Sequence, residues 1–326
     1  MAEITLVEAV NMALARAMGE DDMVVVLGED VGVDGGVFRA TDGLLKRFGE
    51  DRVFDTPLSE GVIAGVSVGL STQGFRPVAE IQFMGFIFPA MDQIFSHGAR
   101  MRNRTRGRLS CPLVLRAPYG GGIHAPEHHS ESTEALFAHV PGLRVVIPSS
   151  PSRAYGLLLA AIRDPDPVVF LEPKRIYRAV REDVADDGVA LPLDTCFQLR
   201  HGSDITLITW GAMIVETMTA AAKLAKDDIE ADVIDIATLG PLDMETILES
   251  VEKTGHAVIV HEAAKTSGFG AEIAARLAEQ GLLSLEAPVL RVTGYDTVMP
   301  LFRLEDHYMP SAGRIVDAAR QSLAFG

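Results

Sequence analysis

The run Phe54-Asp-Thr-Pro-Leu-Ser-Glu60, continuing Gly-Val-Ile-Ala-Gly-Val-Ser-Val-Gly-Leu-Ser-Thr-Gln-Gly74, constrains the fold more than any other stretch. A strand-like VFDT meets Pro57, and Ser59 stands where a helix N-cap belongs. The helix that follows is almost wholly small or apolar, so it lacks a solvent face and is expected to be buried on all sides. Its glycines lower helix propensity and imply that something packs close to the backbone. Glu60 is the only ionisable group entering this element. It is either a first-turn acid complementing the helix dipole or a buried carboxyl that must be paired, hydrogen-bonded or protonated.

Around this segment, short β-branched runs alternate with helical ones. Strands are expected at 23–27, 52–55, 78–81, 113–116, 143–147 and 168–171, with helices near 5–18, 60–73, 86–102 and 151–163. A polar stretch rich in acids follows, VREDVADDGVALPLDT, and reads as a linker. A second alternating block then begins, with strands at 205–210, 232–236, 257–260 and 289–292. Its helices are expected near 212–226, 243–253, 270–280 and 312–323. Nearly continuous apolar strands separated by helices imply parallel sheets covered on both faces. The expectation is therefore an α/β chain of two domains, 1–185 and 200–326, joined by a linker at 186–199.

A net charge of −16 argues against nucleic acid and anionic membrane as general partners. Cys111 and Cys196 lie far apart without metal-ligand spacing and read as reduced core thiols. No apolar run reaches the roughly 18 residues of a membrane span, and the amphipathic start of the chain lacks the pattern of a leader. The expected location is cytoplasmic.

Gly-rich turns occur at Gly28–Gly36, Gly120–Gly122 and 267–270, but none has the dinucleotide or P-loop pattern. The first follows the carboxyl end of a strand, where open α/β sheets bind ligands, and carries Glu29 and Asp30. The segment Tyr119-Gly-Gly-Gly-Ile-His124-Ala-Pro-Glu-His128-His129-Ser130-Glu131 concentrates three histidines. Pro126 breaks any helix that would align His124 with His128, which disfavours zinc. Proton transfer by a loop imidazole and a plain surface loop both remain open. Arg100, Arg102, Arg104, Arg106 and Arg108 form a basic run in an acidic chain, either a solvated face or a dock for another acidic subunit.

Taken together, GEDVGVDGGVFRATDGL, GEDRVFDTPLSEGVIAGVSVGL, AEIQFMGFIFPAMDQI, PYGGGIHAPEHHSES, PGLRVVIPSS, AAIRDPDPVVFLEPKRIYR and HEAAKTSGFGAEIAARL resemble one family in order along the whole chain. It is the β subunit of the thiamine-diphosphate-dependent E1 component of 2-oxo acid dehydrogenase complexes. The resemblance implies a pyrimidine-binding domain followed by a transketolase-type C-terminal domain. It implies a cofactor site of Glu29, Leu58, Glu60, Gln82 and Phe86, with Glu60 at N1′ of the aminopyrimidine and Phe86 stacked on the ring. His129 then serves reductive acylation of a lipoyl group. Leu113, Ala161, Ile162, Asp164 and Asp166 match a loop that holds a structural cation, K⁺, in some members.

The implied reaction is decarboxylation of a 2-oxo acid, pyruvate or branched-chain, with acyl transfer to the E2 lipoyl acyltransferase. An acetoin-type thiamine enzyme and a non-catalytic scaffold subunit are the alternatives. Thiamine enzymes hold the diphosphate through Mg²⁺ with Gly-Asp-Gly and a downstream Asn-Asn. This chain has neither, its only asparagines being Asn11 and Asn103. The expectation is that an E1 α subunit supplies that half of the site in an α₂β₂ assembly.

Overall fold

The computed structural model describes residues 3–325. The described residues divide into two compact units, one of residues 3–119 and 136–193, the other of residues 120–135 and 194–325.

In the first unit the strands Arg144–Val146, Val168–Pro173, Val114–Tyr119, Arg76–Glu80, Val24–Gly28 and Val53–Asp55 lie side by side in that order. Every pairing among them is parallel. The inner strands Val24–Gly28, Val114–Tyr119 and Val168–Pro173 are buried along their length, as continuous runs such as VVVLG require when helices cover both faces. The helix Leu6–Glu20 packs on Pro151–Arg163. It starts at a capping box in which Thr5 and Glu8 satisfy each other's backbone N–H. Just before it, Ile4–Thr5 pairs antiparallel with Arg181–Glu182, so the acidic stretch begins as part of this unit.

The second unit has a sheet ordered Leu290–Val292, Ala257–Val260, Ile205–Thr209, Ala231–Asp235 and Phe197–Arg200. The last strand is antiparallel, with a register irregularity at Val233/Ile234. That strand is absent from the sequence reading because FQLR is short and only half-buried.

Two expectations are corrected. The segment 86–102 is not one helix. It runs through 3₁₀ turns at Met84–Phe86 and Phe88–Ala90, a π-helix at Gln93–Gly98 and a short α-helix at Met101–Arg104. Pro89 sits inside the expected helix, where it supplies no N–H, and Ala99 N–H then bonds back to Ile94 O. The helix Glu60–Thr72 is also not buried on all sides. Ile63, Ala64, Ser67, Val68 and Ser71 face inward, whereas Val62 is 51% and Val66 44% exposed. The two serines go inside because their hydroxyls bond back to Ile63 O and Ser67 O. Close approach does occur at Gly61, where a Cβ would stand 3.2 Å from Pro89 O.

Candidate active site

Three neighbouring strands of the first unit, Arg76–Glu80, Val24–Gly28 and Val53–Asp55, end in register, with Gly28 opposite both Glu80 and Asp55. A Cβ at Gly28 would lie 2.7 Å from Glu80 O, so only glycine fits this crossing. The loops leaving these strands carry Glu29 and Asp30, then Leu58 and Glu60, then Gln82 and Phe86. Ligands of open α/β sheets bind beyond such carboxyl ends.

Asp55 ties the first loop down, accepting from Gly32 N–H at 2.6 Å and Val33 N–H at 3.2 Å. Glu29 is 6% exposed, and its Oε1 is buried with no hydrogen-bond partner among the described residues. Burial lifts its carboxyl above the usual range, and the charges of Glu60 and Asp30 lift it further. Glu60 itself is half-buried at the first position of its helix. Ser59 takes the N-cap position there, but its side chain makes no capping hydrogen bond. Gln82 Nε2 donates to Asp30 Oδ2 at 2.9 Å, linking the third loop to the first. Phe86 meets Phe83 edge-on at 5.8 Å, and Phe83 in turn meets Phe38 at 5.4 Å. Leu58 is 81% exposed. The structure thus gathers Glu29, Glu60, Gln82 and Phe86 on adjoining loops, with Leu58 on the same loops but pointing to solvent.

Beneath lies a buried charge cluster that sequence reasoning missed. Arg116 donates to Glu172 through Nε at 2.6 Å and Nη2 at 2.9 Å, and to Glu80 through Nη1 at 2.9 Å. Tyr177 OH also donates to Glu172, at 2.6 Å. Burial alone would depress the Arg116 pKa, but the two carboxylates outweigh it and raise it. Glu80 is raised, chiefly by burial. The signal was present as single charges inside VAE, VLRAPY and VVFLEP, strands that are otherwise apolar.

The histidine loop belongs to the second unit. Its ends are tied by Gly120 N–H to Glu131 O at 3.0 Å. After Pro126 the chain makes only one 3₁₀ turn, Glu127–His129. His124 and His128 are exposed, whereas His129 is half-buried, with Nδ1 shielded from solvent. The His128 and His129 rings stand 4.3 Å apart. A cleft of about 290 Å³ opens under the loop, lined by Glu127, Ser130, Glu131, Ala263, Met299 and Tyr308 among others. Burial and then the charge of Glu262 push the Tyr308 hydroxyl up to about 12.

The oxygens of the expected cation loop take part in backbone and arginine contacts. Leu113 O accepts from Val168 N–H at 2.9 Å, and Ala161 O from Asp164 N–H at 3.3 Å. Arg76 Nη1 donates to Ile162 O at 3.0 Å and Asp164 O at 3.2 Å. Arg102 pairs with Asp166 at 2.7 Å and Arg144 with Asp164 at 3.5 Å. Guanidinium groups thus hold Ile162 O and the oxygens of Asp164 and Asp166, whereas Leu113 O and Ala161 O accept from backbone N–H groups. Among the described residues no group of three or more His, Cys, Asp or Glu is placed to hold a metal ion. The five arginines at 100–108 are exposed.

Family models match both halves, the transketolase pyrimidine-binding domain at residues 2–180 and the transketolase C-terminal domain at 195–315. The pyruvate dehydrogenase E1 component subunit beta of Bacillus subtilis is 50% identical over 325 residues, covering 100% of both chains. The chain belongs to the E1 β-subunit family. The protein of the same description from Staphylococcus aureus is 47% identical over the same full length. A solved structure described as a split gene transketolase, inactive β4 tetramer, superposes with a TM-score of 0.82 at 25% identity, covering 99% of each chain. Membership of the E1 β family implies use of thiamine diphosphate. No helix among the described residues is long and apolar enough to cross a membrane.

Proposed function

We propose that this chain is the β subunit of a pyruvate dehydrogenase E1, binding the pyrimidine half of thiamine diphosphate and acylating the lipoyl group of E2. The observation carrying this reading is the convergence of Glu29, Glu60, Gln82 and Phe86 on loops beyond three adjacent strand ends. These residues fit an aminopyrimidine. The orphaned Oε1 of buried Glu29 requires a hydrogen-bond donor, and Phe86 offers an aromatic face. The bound cofactor supplies the electron sink for decarboxylation.

Glu60 would share a proton with N1′ of the pyrimidine, the part of a general acid–base carboxyl. Glu29 lies close enough to Glu60 for that charge, after burial, to make ionisation of Glu29 less favourable. Gln82 and Asp30 fix the loop that carries Glu29. His129, the half-buried imidazole of the pair, moves the proton that accompanies opening of the lipoyl disulfide.

An E1 α subunit supplies the diphosphate and Mg²⁺ ligands in an α₂β₂ assembly. The absence of a Gly-Asp-Gly stretch supports this, as does the description of the β-only split transketolase as inactive. The exposed stripe of Val62 and Val66 supports burial of this helix against another subunit. The test is thiamine-diphosphate-dependent oxidation of pyruvate with an artificial electron acceptor, after addition of the α chain. Pyruvate is expected to be turned over in preference to a branched-chain 2-oxo acid. The reverse preference would overturn the substrate assignment.

A further inference from the structure

The loop that carries His129 has almost no secondary structure of its own. Gly120, Gly122 and His124 all take left-handed backbone conformations, with φ of 84°, 79° and 55°. A histidine in that region is strained, and its backbone groups need outside partners to stay there. Two buried carboxylates of the same unit provide them. Glu262, 3% exposed and just beyond the strand Ala257–Val260, accepts from Gly121 N–H through Oε2 at 2.8 Å. Glu305, 1% exposed in the helix Phe302–Tyr308, accepts from His124 N–H through Oε2 at 2.9 Å.

The glycines fit this contact closely. A Cβ at Gly120 would stand 2.5 Å from Glu262 Oε1, and one at Gly121 would stand 2.3 Å from Met299 Cε. The glycine run therefore serves close approach of the loop backbone to a carboxylate, not phosphate binding.

We propose that Glu262 and Glu305 are positioning residues that clamp the histidine loop in the conformation from which His129 acts. Carboxylates bonded to backbone N–H groups in a buried setting make stronger bonds than neutral acceptors. The two contacts bracket the strained turn and leave residues 125–131 to fold as one 3₁₀ turn over the cleft. Neither carboxylate needs to touch substrate. The functional part of this inference rests on the assignment of His129 to acyl transfer.

Hydrogen exchange of peptides spanning 120–135, in the full chain assembled with its α subunit, tests the clamp directly. Glu262→Ala and Glu305→Ala are expected to speed exchange in this loop by about 10-fold or more, with the rest of the unit unchanged. Glu262→Gln keeps an acceptor oxygen and should restore slow exchange. Gly120→Ala, which crowds Glu262 Oε1 and also strains a left-handed position, should loosen the loop as well. In parallel, E2-coupled acyl transfer should fall about 10-fold in the alanine variants while dye-linked decarboxylation holds. Unchanged loop exchange in Glu262→Ala and Glu305→Ala would overturn the clamp. A loosened loop with full acyl transfer would uphold the clamp and instead overturn the role given to His129.

Discussion

Glu29 and Glu60 are both glutamates at the carboxyl end of one sheet, and burial separates them. Glu29 is 6% exposed with one oxygen lacking a partner among the described residues, whereas Glu60 is half-buried at a helix start. The proton-sharing role assigned to Glu60 predicts the outcome of an isosteric change. Glu60→Gln keeps the shape but cannot share the proton, so cofactor C2 hydrogen exchange in the assembled enzyme should slow roughly 100-fold or more. Near-normal exchange would remove Glu60 from that role. Arg116 makes a contrasting prediction about stability. Arg116→Met strands the carboxylates of Glu80 and Glu172 in the interior. Loss of one partner from such a cluster costs about 3–5 kcal/mol, measurable as a lowered urea midpoint. An unfolding free energy within about 0.5 kcal/mol of wild type would mean the carboxylates simply protonate at little cost.

At the scale of elements, the turn that opens the helix Gly270–Gln280 is shaped by one ring. A Cβ at Gly268 or at Gly270 would lie 2.7 Å from His261, which stacks on Trp210 at 5.1 Å. Burial first, then the charge of Arg291, lowers the His261 pKa from 6.5 to about 3. The native ring is therefore neutral where the unfolded one is protonated. The neutral ring's contribution is fully present above pH 6.5 and is lost progressively as pH falls from 6.5 towards 3. The slope is about 1.4 kcal/mol per pH unit for the one proton. His261→Asn should show a shallower loss of stability than wild type between pH 6 and pH 4.5 in urea titrations, about one proton's worth less. Equal slopes would mean the native ring takes up its proton normally.

For the molecule as a whole, the charge of −16 and the missing diphosphate motif point the same way. An acidic chain that lacks this motif is a poor receptor for a diphosphate on its own. Calorimetric titration of the purified chain with thiamine diphosphate and Mg²⁺ should show little binding, and the chain alone should not decarboxylate pyruvate. Tight binding with turnover by this chain alone would overturn the shared site.

Much of this was legible in local sequence. Runs such as VVVLG and VVFL are apolar on both faces, so they had to be buried and parallel. Glu29, Glu60, Gln82 and Phe86 were marked by their motifs, and their shared position at three strand ends follows from the parallel register. What stayed hidden depends on partners distant in the chain. Gly121 meets Glu262 across 141 positions and His124 meets Glu305 across 181. No periodicity encodes contacts of that separation, so the loop's membership of the second unit was invisible. The exposure of Val62 and Val66 was equally hidden, because composition reports that a face is apolar but not which surface covers it. Local pattern set the elements by backbone hydrogen bonding and side-chain burial. Tertiary packing alone decided which buried charges meet, because that pairing depends on distances the chain order does not carry.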